Sequence, residues 1–127
     1  DRKVRNVTDT DYKSPVIRLM EANKTLGLAE GIETALSASQ LYNVPVWSTI
    51  NSGFMKKFRA PKGITKLYIF ADNDKSGTGH AASFECARAN LAAKNDVVDI
   101  TIVWPDSVSD FNDLEDKNDV CHWKLSK

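Results

Sequence analysis

The run Leu67, Tyr68, Ile69, Phe70 and Ala71 is almost continuously apolar, with the loop markers Pro61 and Gly63 before it and Asp72 directly after it. A strand with one wet face alternates apolar and polar residues. One that does not alternate is covered on both faces, as in sheets whose crossover helices lie on either side. This segment restricts the chain to architectures in which helices sandwich a sheet.

The remaining pattern agrees. Leu26 to Ala29 is a short apolar run followed by Glu30 and Gly31, and from Ile32 to Tyr42 the residues Ile32, Ala35, Leu36 and Leu41 recur at helical spacing. Val44 to Ile50 has strand composition and closes at Asn51, Ser52 and Gly53, after which a loop is expected. The alanine-rich segment His80 to Lys94, with Ala82, Cys86, Ala89 and Ala93 at helical spacing, predicts a long helix. Val97 to Trp104 forms a fourth strand, ended by Pro105, and the acidic segment Asp110 to Asp119 has room for a short helix. Strands alternating with helices over short connections predict an α/β domain with a mostly parallel four-stranded sheet flanked by helices. The expected organisation is an N-terminal appendage at 1–25, one catalytic domain at 26–120 and a short tail at 121–127. Within the appendage, Val16 to Met20 fits a short strand or an amphipathic turn.

Seventeen lysines and arginines balance seventeen aspartates and glutamates, so no global field pulls the chain onto nucleic acid and any such contact has to be local. No apolar run approaches the roughly 20 residues of a membrane span. Cys86 and Cys121 lack the close pairing of a zinc motif or a disulfide framework, which fits reduced thiols in a cytoplasm. The chain opens with Asp1 and shows no signal-peptide pattern, as expected of a piece of a longer protein.

Acidic residues fall where chemistry is expected. Ligands of open α/β sheets bind beyond the carboxyl ends of the strands. Glu30 follows the first strand, Asp72 and Asp74 the third, and Asp110 and Asp113 the fourth. Gathered carboxylates repel one another, and a hard cation such as Mg²⁺ relieves that repulsion with few protein ligands. Glu30 then serves as ligand or general base. The plainer alternatives are a first-turn acid complementing a helix dipole for Glu30 and a polar turn with a cap for Asp72 to Gly77. Two other motifs fit less well. Gly77, Gly79 and Ala82 match a dinucleotide fingerprint, but Asp72 to Ser76 separate them from the strand and set carboxylates against an anion. Asp72, Asp74, Ser76 and Gly77 imitate the opening of an EF-hand loop, whose twelfth position here is Ser83 instead of glutamate.

Glu30-Gly31-Ile32-Glu33-Thr34-Ala35-Leu36, Ala71-Asp72-Asn73-Asp74-Lys75-Ser76-Gly77 and Ser109-Asp110-Phe111-Asn112-Asp113-Leu114, in this order and separation, resemble the three acidic motifs of Toprim domains in phage- and plasmid-type DNA primases. The likeness runs from about Leu26 to Leu114. It implies a Rossmann-like sheet, Glu30 as general acid or base, and Mg²⁺, replaceable by Mn²⁺, on Asp72 and Asp74, with Asp110 and Asp113 joining from the third motif. Bacterial primases carry an aspartate four residues after the glutamate, where this chain has Thr34, with Glu33 the nearest acid. The implied activity is primer synthesis, with single-stranded DNA template and ribonucleotides as partners beside flanking zinc-binding or helicase domains. Lys56, Lys57 and Arg59, with Lys62 and Lys66, are candidates for phosphate contacts, solvated lysines being the plainer reading. His80, at a helix start, suits a capping or surface role as well as a phosphate contact, and His122 and Trp123 lie outside the likeness. The rival functions are a metal-dependent nuclease using the same carboxylates and a non-catalytic nucleotide-binding module using Gly77 and Gly79. A topoisomerase would need a tyrosine nucleophile, and nothing singles out Tyr12, Tyr42 or Tyr68.

Overall fold

The computed structural model describes residues 15–107, 111, 114 and 118–127. In chain order the elements are β1 (Thr25–Ala29), α1 (Ile32–Tyr42), β2 (Val46–Ser48), α2 (Ser52–Lys57), β3 (Lys66–Phe70), α3 (Thr78–Ala92), β4 (Asp99–Pro105) and β5 (Val120–Ser126). They form one sheet in the order β2-β1-β3-β4-β5. The first four strands are parallel, and β5 runs antiparallel along β4, with Ile102 opposite Trp123.

The α/β class and the mostly parallel sheet are those expected, with one strand more than the four counted from sequence. The added strand, β5, alternates: Cys121, Trp123 and Leu125 share one face, His122 and Lys124 the other. The Trp123 ring meets Phe84 of α3 edge-on at 5.8 Å. As an edge strand it keeps much of its surface wet, and its polar residues disguise it.

Both faces of the central strands are covered. On one side Leu26, Leu28, Leu67, Ile69, Ile100 and Ile102 pack beneath α2 and α3, against Met55, Phe58, Ala82 and Cys86. On the other, Ala29, Val46, Phe70 and Val103 pack with Ala35 and Ala38 of α1 and with Phe111. Leu67, Ile69 and Phe70 are at most 1 % exposed, which accounts for the unbroken apolar run. Gly27 lets the layers close: a Cβ there would come within 2.7 Å of the Phe70 ring and 2.9 Å of Val46.

The expected loop after Gly53 is instead α2. Asn51 caps it, accepting the Phe54 N–H at 2.8 Å. Asn, Ser and Gly favour turns and helix starts alike, and a helix of six residues is too short to display periodicity. The segment before β1 lies on the free edge of β2, where Ile17 and Ser48 exchange both backbone hydrogen bonds, at 2.7 and 3.0 Å. The Trp47 indole donates to the Met20 carbonyl at 2.8 Å, and the Arg18 guanidinium stands over its ring. Part of the edge of β2 is thereby paired.

Candidate metal and acid–base site

The order of the strands decides which acids meet. β1 and β3 are parallel neighbours, with Leu28 opposite Ile69, so Glu30 and Asp72 leave adjacent strands at the same carboxyl end of the sheet. At the end of β1, the Thr49 N–H donates to the Ala29 carbonyl at 2.8 Å and the Ser48 hydroxyl to the Glu30 carbonyl at 2.6 Å. Gly31 is the N-cap of α1, in extended conformation and without a side-chain cap. The Glu30 backbone is thus fixed by β2 while its carboxyl stands at the head of a helix.

At the end of β3, Ala71 still pairs with Val103 at 2.8 Å, and the Asn73 amide donates to the Pro105 carbonyl at 2.9 Å, tying the acidic turn to β4. Asp74 Oδ1 accepts the Gly77 N–H at 2.8 Å and the Ser76 hydroxyl at 3.0 Å. Gly77 has φ 74°, a conformation open to glycine, and begins α3. Gly79 sits so close to the turn that a Cβ would lie 3.1 Å from the Asp72 carbonyl oxygen and 3.8 Å from Asp74 Oδ2. Both glycines therefore have structural reasons independent of any dinucleotide.

Glu30 titrates above its usual range. Partial burial is the main cause and the negative charge of Asp74 the second. The two acidic motifs are thus electrostatically coupled. Among the described residues no group of three histidines, cysteines or acids is assembled into a ready metal cage. Mg²⁺ needs none, since it retains several waters and takes one or two carboxylates together with substrate phosphates. The repelling hard-oxygen donors Glu30 and Asp74, with Asp72 in the same turn as Asp74, fit such a cation.

Asp110 and Asp113 lie outside the described residues. Phe111, between them in sequence, is 1 % exposed and meets the Phe70 ring edge-on at 5.4 Å, next to the start of the Asp72 turn. His80 is in the first turn of α3, edge-on to Trp104 at 4.9 Å, with Nε2 buried and without a hydrogen-bond partner among the described residues.

Among the described residues, the basic candidates Lys56, Lys57, Arg59, Lys62 and Lys66 are dispersed. α2 runs alongside α3 away from its N-terminus: Met55 meets Ser83, and the Phe58 carbonyl meets Asn90. Lys56 and Lys57 stand on this descending helix, and Arg59 is turned back onto the Lys56 and Phe58 carbonyls at 3.1 and 2.8 Å. Lys62 borders another cleft with Arg18, and Lys66, at the start of β3, lies over the Tyr68 ring.

Sequence reasoning missed Ile17, Ser48 and Ile50, which with Glu30 and Ile32 line a cleft of about 400 Å³ at the head of α1. No local signal marks them. Ile50 has φ 77°, rare for a β-branched residue.

The family model described as Toprim domain matches residues 25–119. Neither the search of curated proteins nor that of solved structures returned a match.

Proposed function

The chain belongs to the Toprim domain family, and from that premise we propose that it is the magnesium-dependent nucleotidyl-transfer domain of a DNA primase-like replication protein. Toprim domains are metal-binding domains of nucleotidyl-transfer and nuclease type. The observation that carries the reading is the meeting of Glu30 and Asp74 at the carboxyl ends of adjacent parallel strands, close enough for one charge to act on the other.

In this reading Asp72 and Asp74, with Asp110 and Asp113 of the third motif, hold Mg²⁺. The cation supplies charge compensation for phosphate oxygens during in-line transfer. Glu30 accepts the proton of the attacking 3′-hydroxyl, a task suited to a carboxyl whose proton affinity is raised by burial and by the charge of Asp74. The Ser48 hydroxyl bond to the Glu30 carbonyl and the start of α1 keep that carboxyl in place. The Asp74 bonds to Gly77 and Ser76 fix its Oδ1 and leave Oδ2 toward Gly79. Single-stranded DNA and ribonucleotides are the proposed substrates, with zinc-binding or helicase parts of a longer, cytoplasmic protein as neighbours. Lys56 and Lys57, down α2, suit template phosphates distant from the reacting end.

Primer synthesis by the complete parent protein on single-stranded DNA with Mg²⁺ tests this reading. Primers from the wild type and none from Glu30→Gln or from Asp72→Ala/Asp74→Ala are expected. Loss of labelled phosphodiester bonds in place of primers would assign the same residues to a nuclease.

A further inference from the structure

Beside Glu30, three isoleucines from three separate parts of the chain expose their side chains into one cleft. Ile17 comes from the segment before β1 and is 36 % exposed, Ile32 opens α1 and is 44 % exposed, and Ile50 follows β2 and is 44 % exposed. The other four isoleucines, Ile64, Ile69, Ile100 and Ile102, are at most 3 % exposed. Exposure of this residue type is therefore concentrated at a single place on the molecule.

The place is held at a conformational cost. Ile50 lies in the left-handed region, where its branched Cβ crowds the backbone, and its N–H donates to the Ser48 hydroxyl at 3.2 Å. That hydroxyl also donates to the Glu30 carbonyl, and the Ser48 backbone pairs with Ile17. One buried serine thus ties both outer walls of the cleft to the residue after β1. Strain maintained next to a reactive carboxyl points to use of the strained side chain.

The chemistry of the lining narrows the occupant. Among the described residues the cleft has Glu30 and Glu33 at its border and no lysine or arginine, which disfavours a phosphate group there. Its volume of about 400 Å³ is at the lower end of small-ligand sites and suits a nucleoside rather than a protein helix. Apolar walls receive the faces of a planar base, and the flanking carboxylates accept hydrogen bonds from amino and sugar hydroxyl groups. We propose that the cleft of Ile17, Ile32 and Ile50 is a nucleobase subsite, seating the terminal nucleoside whose 3′-hydroxyl faces Glu30. The assignment rests on the nucleotidyl-transfer reading and adds a base-binding wall from a segment that precedes the family match.

Isoleucine δ1-methyl NMR of the full chain tests it, because the protein has seven such probes, three in the cleft and four in the core. On titration with a short oligoriboadenylate and Mg²⁺, the methyls of Ile17, Ile32 and Ile50 are expected to shift and the four buried ones to stay. An abasic oligonucleotide of equal charge should leave all seven in place. Ile50→Asn, which suits positive φ, is expected to raise the melting temperature yet weaken oligonucleotide binding about fivefold or more, the lower end of the effect of a lost base contact. Oligonucleotide binding that moves only Gly77–His80 amides, equal shifts with the abasic control, or unmoved cleft methyls at saturating oligonucleotide would each overturn the subsite. The metal reading is scored separately by Mn²⁺ broadening of the Asp74 amide. Broadening with unmoved cleft methyls removes the subsite alone, whereas its absence removes the nucleotidyl-transfer reading on which the subsite rests.

Discussion

Glu30 and Asp74 leave neighbouring parallel strands at the same end of the sheet, and the Asp74 charge adds to burial in raising the proton affinity of Glu30. The consequence for stability has a definite sign. Between the ordinary glutamate range and the raised folded value, the folded chain holds more protons than the unfolded one, so this group's contribution falls as pH rises. Without metal, Glu30→Gln should melt above the wild type at about pH 7, and the gap should close at about pH 3, below the ordinary glutamate range, where both states are protonated. Thermal melts across that interval check this; a gap independent of pH would mean that the substitution acts through packing.

Asp74 has two tasks that one substitution can separate. Asp74→Asn retains an Oδ1 to accept the Gly77 and Ser76 bonds, so the turn and the start of α3 should survive. The negative charge is lost, and Mn²⁺ affinity measured by calorimetry should drop by about tenfold or more, equivalent to about 1.4 kcal/mol. Unchanged affinity with intact circular dichroism would take Asp74 out of the metal site.

Asn90 of α3 is completely buried and joins the two helices of its layer. Its Oδ1 accepts the Ala60 N–H at 2.8 Å, and its Nδ2 donates to the Phe58 and Cys86 carbonyls, both at 2.9 Å. Asn90→Ala strands the Ala60 N–H and the Phe58 carbonyl without water to replace the amide, and should cost about 2–4 kcal/mol in urea unfolding. A loss below about 1 kcal/mol would mean that this corner readily admits water.

The two thiols should differ in reactivity. Cys86 is buried under the α3 layer, and burial pushes its thiol up to about 12, so no thiolate forms near neutrality. A disulfide reagent at about pH 8 should leave Cys86 unmodified in the folded chain and modify both thiols after denaturation. Peptide mapping of the labelled sites decides this, and fast native labelling of Cys86 would reveal local opening of α3.

The amino-acid sequence by itself determined those features that depend on neighbours in the chain. The unbroken apolar run before Asp72 announced a strand covered on both faces, and the alanine-rich spacing after Gly79 announced α3. Glu30 and Asp72-Asn73-Asp74 stood out because each follows an apolar run, the place where α/β sheets bind ligands. What lay in pairings between distant segments was not legible. Strand order put β1 beside β3 and so brought Glu30 to Asp74, while α2, too short for a period to register, carried Lys56, Lys57 and Arg59 away from the acids. The alternation of β5 is disguised by its polar residues, and only its antiparallel pairing with β4 makes it a strand of this sheet. The Ile17–Ile32–Ile50 cleft was the least accessible, since no local pattern distinguishes an isoleucine held open by backbone pairing from one buried in a core. Local periodicity fixes which residues are apolar together; which of them remain exposed side by side is decided only when the layers pack.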